Sequence, residues 1–487
     1  MSAVQSRLVI RLFATFVWFS VLAGQFWRNL GGWWGFGAVA VLVVVGSVIG
    51  LSTQRTRARD SAARAAAGVN AVAGASVAAR FTPLASVALD STPSDRIARA
   101  RTDTAAQPSA LNWRKFPKTV TAFLLLATLS IAWSFYPGAS ALGITLQLIT
   151  TLAALFLAVT LTWPELLRSL AGALRWVLAL SLVFELFVAV VIQHAVLPFF
   201  VDYGTSDVPN AFYWSRDLML TGGPIEGIVA NRNLLGFVAL LAIIVFTVQL
   251  CAHSVKRNAG VVWLALAVGM LLLTRSATVT VSLVAVVAAL IFALWARRVH
   301  DQHRRPLYVV AAASVLAVGA ALALFSSQLF GLLGRSDDLT GRFDIWSSVI
   351  RLALERPVFG WGWVSYWVPW VEPFNDLAVR KGVTYLQAHN AWLDVWLQLG
   401  IVGVVVFAAL VGSTLWRAWF LAVDRPRLGV HDTEPFAVSA LLPLLLLTAL
   451  IAQSIAESRL LIESGWVILV VLAVVTKRQQ HAPRPMP

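Results

Sequence analysis

Cysteine and charge are what this chain has least of. A single cysteine, Cys251, among 487 residues rules out an internal disulfide, and no Cys/His cluster stands at metal-ligand spacing. Charged residues make up only 13% of the chain, while the apolar set AVILMFWYC makes up 59% and the mean hydropathy is +0.78. A soluble domain of this length has no use for so much apolar sequence. Strict apolar/polar alternation over about ten residues is missing too, which excludes a membrane barrel. Any convincing internal repeat is also lacking, against the inverted halves of many transporters. What fills the chain instead is a series of apolar runs of roughly 18 residues or more, the length at which an α-helix crosses a hydrocarbon core.

Those runs predict an all-α polytopic membrane protein with about twelve transmembrane helices, at about 8–26, 32–51, 119–136, 140–162, 172–193, 226–250, 259–274, 276–296, 307–327, 391–412, 436–454 and 461–476. The first reads as an uncleaved signal-anchor helix. Residues 1–51 then hold two helices, 52–116 an Ala/Arg/Ser/Thr-rich loop expected to be disordered and cytoplasmic, and 117–327 the third to ninth helices. Residues 328–390 form a long outer loop, 391–476 the last three helices, and 477–487 a tail.

Acidic residues are scarce, 23 against 38 Lys and Arg, giving a net charge of +15. In a soluble chain that excess points to nucleic acid. Here the basic residues gather in loops between apolar runs, where they set topology and meet anionic lipid, so no nucleic-acid partner is expected. Arg55, Arg57, Arg59, Arg114, Lys115, Lys118, Lys256, Arg257, Arg297, Arg298, Arg304, Arg305, Arg417, Arg425, Arg427, Lys477 and Arg478 fall on one side of a twelve-helix arrangement. The positive-inside bias makes that side, with both termini, cytoplasmic.

Four basic residues break this pattern on the outer side: Arg232, Arg275, Arg342 and His389. Any one arginine near a helix end can snorkel to lipid phosphates, and a single boundary histidine can be structural. Their convergence on one face points further. An arginine inside a membrane helix wants an anionic partner, and guanidinium grips phosphate oxygens through two parallel hydrogen bonds. In the long loop, Trp346, Val349, Ile350, Ala353 and Leu354 recur at helical spacing, predicting an amphipathic helix on the membrane surface that ends at Pro357. The aromatic residues after it suit either sugar stacking or an interfacial belt. The first outer loop, about 27–31, has no Asp or Glu to hold a divalent ion, and the pair Asp337–Asp338 reads first as a solvated turn. Asp394, Glu457 and Glu463 are boundary carboxylates able to orient His389 or pair with the arginines.

The ordered pieces Gly341-Arg-Phe-Asp-Ile-Trp346, Pro357-Val-Phe-Gly-Trp-Gly362, His389-Asn-Ala-Trp-Leu393 and Leu399-Gly-Ile-Val-Gly403 resemble the O-antigen ligase/polymerase family, over about 220–475. That resemblance implies a twelve-helix enzyme of the C-type glycosyltransferase class. Such an enzyme moves a glycan from polyprenyl diphosphate to a lipid or glycan acceptor on the outer face of the cell membrane, with no metal or other cofactor. It implies His389 as the base and Arg232 and Arg275 as diphosphate ligands. We add Arg342 for donor or loop positioning, with Asn390, Asp394 and Glu457 in support. A polymerase joining lipid-linked repeat units needs the same donor chemistry; a transporter is the remaining reading.

Overall fold

The computed structural model describes residues 3–78, 116–199, 208–314, 316–317, 320, 336–380, 383–424 and 436–480. The fold is all-α and built for a membrane: among the described residues, eight helices are long and apolar enough to span one, and two shorter apolar helices accompany them. In chain order the helices are α1 (Ala3–Leu22), α2 (Gly24–Ala78), α3 (Lys118–Leu129), α4 (Pro137–Thr160), α5 (Trp163–Phe187) and α6 (Arg232–Cys251). They continue with α7 (Arg257–Thr274), α8 (Ala277–Arg298), α9 (Ser336–Glu355), α10 (Ala391–Val423), α11 (Leu442–Ser454) and α12 (Glu463–Gln479). The expected ninth span is helical at 305–314, and much of its remainder lies outside the described residues. The most enclosed span is α6, in which Leu235, Phe237, Val238, Leu240, Leu241 and Val245 are fully buried.

Several expectations are corrected. Residues 52–78, read as the start of a disordered loop, continue α2 as helix, because alanine-rich sequence is strongly helix-forming even where it is too polar to build a core. Residues 79–115 of that loop lie outside the described set. The sixth span starts at Arg232, not 226, since Asn231 caps it by accepting a hydrogen bond from Leu234 N at 3.0 Å. The surface helix starts ten residues early, at Ser336, and takes in Asp337, Asp338 and Arg342. Its apolar stripe packs into protein: Ile345, Val349 and Ala353 are buried with Trp361, Trp367, Phe374 and Leu397, while Ile350 and Leu354 remain exposed.

The family-like glycine motifs have a backbone role. At Gly400 (φ 65°) α10 breaks, nine residues after it begins. A break leaves carbonyl and N–H groups with no helical partner, tolerable inside a membrane only where protein supplies new ones. The segment after α9 does so. Trp361 N and Gly362 N donate to the carbonyls of Leu397 and Gln398 at 3.0 and 2.9 Å, and Ile401 N donates to Pro357 O at 2.9 Å. The Gln398 side chain joins in, its Oε1 accepting from Val364 N at 2.8 Å and from Ser365 N at 3.1 Å. The approach is close enough that a Cβ on Gly400 would lie 2.1 Å from Val358 O.

Two ends of the bundle follow from these connections. At one end Arg7 meets Glu165 (3.4 Å), Arg478 donates to Ala158 O (2.6 Å), and Arg304 meets Asp424 (2.6 Å). The opposite end holds the starts of α6, α8, α10 and α12, and with them most of the outer polar residues singled out in the sequence. Gly400→Ala should cost about 2 kcal/mol or more from left-handed backbone and collision with Val358, read as a lowered unfolding temperature in detergent. Gly412→Ala, in the same helix with open space around it, should leave that temperature unchanged.

Candidate active site

The site grows from three helix starts and one turn. Asn390 caps α10: its side-chain oxygen accepts from Trp392 N (3.0 Å) and Leu393 N (3.2 Å), the usual work of an asparagine in extended backbone before a helix. One residue earlier, His389 sits in the left-handed region at φ 50°, so its ring leaves the helix line. Asp394, one turn into α10, accepts from Ala388 N at 3.1 Å and from the Ser458 hydroxyl. Ser458 Oγ in turn accepts from Asn390 N at 3.2 Å. These bonds fasten the segment carrying His389 to the turn after α11, which carries Glu457.

Glu457 is the hub. Its side chain is 5% exposed. One oxygen, Oε2, lies 3.0 Å from His389 Nδ1. The other, Oε1, accepts from Arg342 Nη2 at 3.1 Å and Asn233 Nδ2 at 3.0 Å. Asn233 Oδ1 accepts from Ser276 Oγ at 2.8 Å, and Ser276 is also the N-cap of α8. Arg342 is delivered by α9, whose Trp346, one turn on, donates from Nε1 to Ala388 O at 2.9 Å. A single carboxylate thereby ties α6, α8, α9 and α10 together.

Burial alone would push the Glu457 carboxyl upward, but the charge and hydrogen bond of His389, with Arg342 and Arg459 nearby, outweigh it and hold the group down at about 2. It is therefore an anion at any working pH. When the imidazole is neutral and carries its proton on Nδ1, that proton goes to Glu457 and Nε2 is left as the proton acceptor. Tyr385 flanks the ring, centroids 5.5 Å apart and edge-on.

Five of the residues chosen from sequence, Arg342, His389, Asn390, Asp394 and Glu457, come together in this network. Arg232 and Arg275 stand at its edge. Arg232 is the first residue of α6 and half-buried, next in sequence to Asn233; Arg275 is exposed at the end of α7, next to Ser276. Each arginine thus adjoins a residue in the Glu457 chain. The sequence reading missed Asn233, Ser276 and Ser458. Asn-Arg-Asn at 231–233 and Arg-Ser at 275–276 were visible as short polar runs at span ends, but nothing local says which of their residues points inward. Arg459, paired with Glu463 at 3.0 Å, was likewise missed.

A carboxyl held below its ordinary value stabilises the folded state above its unfolded pKa and loses that contribution as pH falls through the folded one. The wild type should therefore unfold at higher temperature than Glu457→Gln at pH 7. The gap should narrow as pH drops from about 4.5 toward 2. Thermal unfolding of both proteins across that range checks it.

Residues 260–408 match the family model described as O-antigen ligase. The matched stretch runs from within α7 to within α10 and includes Arg275, Arg342, His389, Asn390 and Asp394, while Arg232 and Glu457 lie outside it. The comparison with curated proteins finds no match. The apolar helices and this domain together mark a membrane protein of polysaccharide biosynthesis. Over residues 260–408 the chain is thus similar to the O-antigen ligase family.

Proposed function

We propose that the chain is an inverting, metal-independent glycosyltransferase that moves a glycan from a polyprenyl diphosphate carrier to an envelope acceptor, in the manner of an O-antigen ligase. The observation that carries this reading is the pairing of His389 Nδ1 with a buried carboxylate that also holds Arg342. An imidazole oriented by an anion is suited to general base catalysis, and a neighbouring arginine is suited to phosphate.

The reaction is a direct displacement. The acceptor hydroxyl oxygen attacks the anomeric carbon as the bond from that carbon to the diphosphate oxygen breaks. The hydroxyl proton passes to His389 Nε2, and the leaving diphosphate keeps the bonding electron pair. Attack opposite the leaving group inverts the anomeric centre. Diphosphate leaves readily once its charge is met, so Arg232 and Arg275 take the part that a divalent ion plays elsewhere. Arg342 positions the donor or the loop, while Asn390 and Asp394 hold His389 in place.

Orientation belongs to the same reading. Arg7, Arg304 and Arg478 lie at the end of the bundle away from His389. By the positive-inside bias that end is cytoplasmic, which makes the site extracytoplasmic in the cell membrane and both termini internal. Polymerisation of lipid-linked repeats is the second reading, since the matched family covers the same donor chemistry.

Purified protein with a lipid-linked glycan and acceptor should transfer glycan equally with and without EDTA. His389→Ala should lose about a hundredfold or more of the rate; undiminished transfer by His389→Ala would remove the base from this scheme. Gel analysis of the product should show one added block. A ladder of lengths would mark the polymerase instead.

A further inference from the structure

Among the charged residues of the segment between α5 and α6, none of which the transfer scheme uses, Arg216 and Glu226 form an ion pair. The segment is anchored firmly. Glu185, near the end of α5 and 2% exposed, accepts from Ser215 Oγ (2.8 Å), Glu226 N (3.0 Å) and Gly227 N (2.6 Å). Three donors on one buried carboxylate pin both ends of the stretch 215–227 to the bundle. Close to its second end it is also held to the last turn of α7: Ile225 N donates to Leu273 O at 3.2 Å. A Cβ built on Gly222 (φ +81°) would sit 3.9 Å from Arg275 Nη2. The chain then leads directly into α6 and Arg232.

Arg216, Arg232 and Arg275 are therefore carried by one anchored loop and the two helix ends it touches. Within this group Arg216 Nη2 is 2.9 Å from the Glu226 carboxylate, with side chains 23% and 12% exposed. Arg232 also acts electrostatically on Glu226. The Arg216–Glu226 pair is incomplete: Arg216 Nε and Glu226 Oε2 are both buried with no hydrogen-bond partner. Burial pushes the Glu226 carboxyl up to about 7, with nearby Glu185 adding to the rise and Arg216 opposing it. Such a carboxylate is a weak competitor for a guanidinium, and a phosphate offers more oxygens in a geometry that the guanidinium fork matches.

We propose that Arg216 is a further ligand of the donor diphosphate. Glu226 is its resident counter-anion, which yields Arg216 to phosphate, and Glu185 is a positioning residue that fixes the loop. The proposal rests on the polyprenyl diphosphate reading above. Exchange of a carboxylate for a phosphate keeps Arg216 paired throughout, so the guanidinium is never left uncompensated at the membrane boundary. It also gives the enzyme an arginine that is already oriented when the donor arrives.

The probe is inorganic pyrophosphate, titrated calorimetrically into the purified full chain in detergent at pH 8. Arg216→Ala should bind it about tenfold more weakly or worse, and Arg216→Lys, which keeps the charge but loses the fork, should fall between that and the wild type. Glu226→Gln, which removes the competing charge at constant shape, should bind about threefold more tightly or better. Unchanged binding in both Arg216 variants, weaker binding in Glu226→Gln, or no binding by the wild type would each overturn the proposal. Transfer assays on the same samples separate the two readings. Wild-type protein that binds pyrophosphate but transfers no glycan contradicts the transferase reading, while the order of the variants still judges Arg216.

Discussion

A carboxylate taken out of water must be met by charge and hydrogen bonds, or it does not stay ionised. Glu457 is met by a histidine from the start of α10, an arginine from α9 and an asparagine from α6, with Ser276 of α8 bonded behind the asparagine. Each partner comes from a different helix, so the requirements of one buried anion fix the relative placement of four elements. The same contacts hold His389 Nδ1 on the anion and leave Nε2 free of it.

The rest of the architecture keeps that arrangement rigid. Asp394 and Ser458 clamp the backbone beside His389, and Trp346 ties α9 to Ala388. Further along, the break at Gly400 is filled by the segment that follows α9, so that segment and α10 share backbone hydrogen bonds. A helix that merely lay on lipid, as the spacing of Val349 and Ala353 first implies, would be free to slide. With Ile345, Val349 and Ala353 buried against Trp361 and Leu397, it holds Arg342 at a fixed reach from Glu457.

Much of this was legible in the sequence, and what was not has a physical cause. Apolar run length gives away membrane helices because nothing else requires some twenty such residues in a row, and the outer basic residues stand out because they contradict the loop bias. Boundaries were less readable. Capping by Asn231 starts α6 six residues later than hydropathy alone implies, and the alanine-rich run after residue 51 is helical although too polar to span. Apolar spacing also cannot say whether a stripe faces lipid or protein, which is why α9 was misread. At the site, His389 and Glu457 are 68 residues apart. Each was visible as an oddity at a span end, yet their pairing is a fact of three-dimensional packing, as are the inward turns of Asn233 and Ser276.

The central claim is that Glu457 acts through His389 and not merely beside it. A double-mutant cycle on glycan transfer tests this most directly, using His389→Ala, Glu457→Gln and the combination in a purified assay. Groups that act as one unit give strongly non-additive losses. The account predicts that adding Glu457→Gln to His389→Ala costs little beyond the first substitution. Losses that multiply, each variant keeping its full effect in the presence of the other, would contradict it.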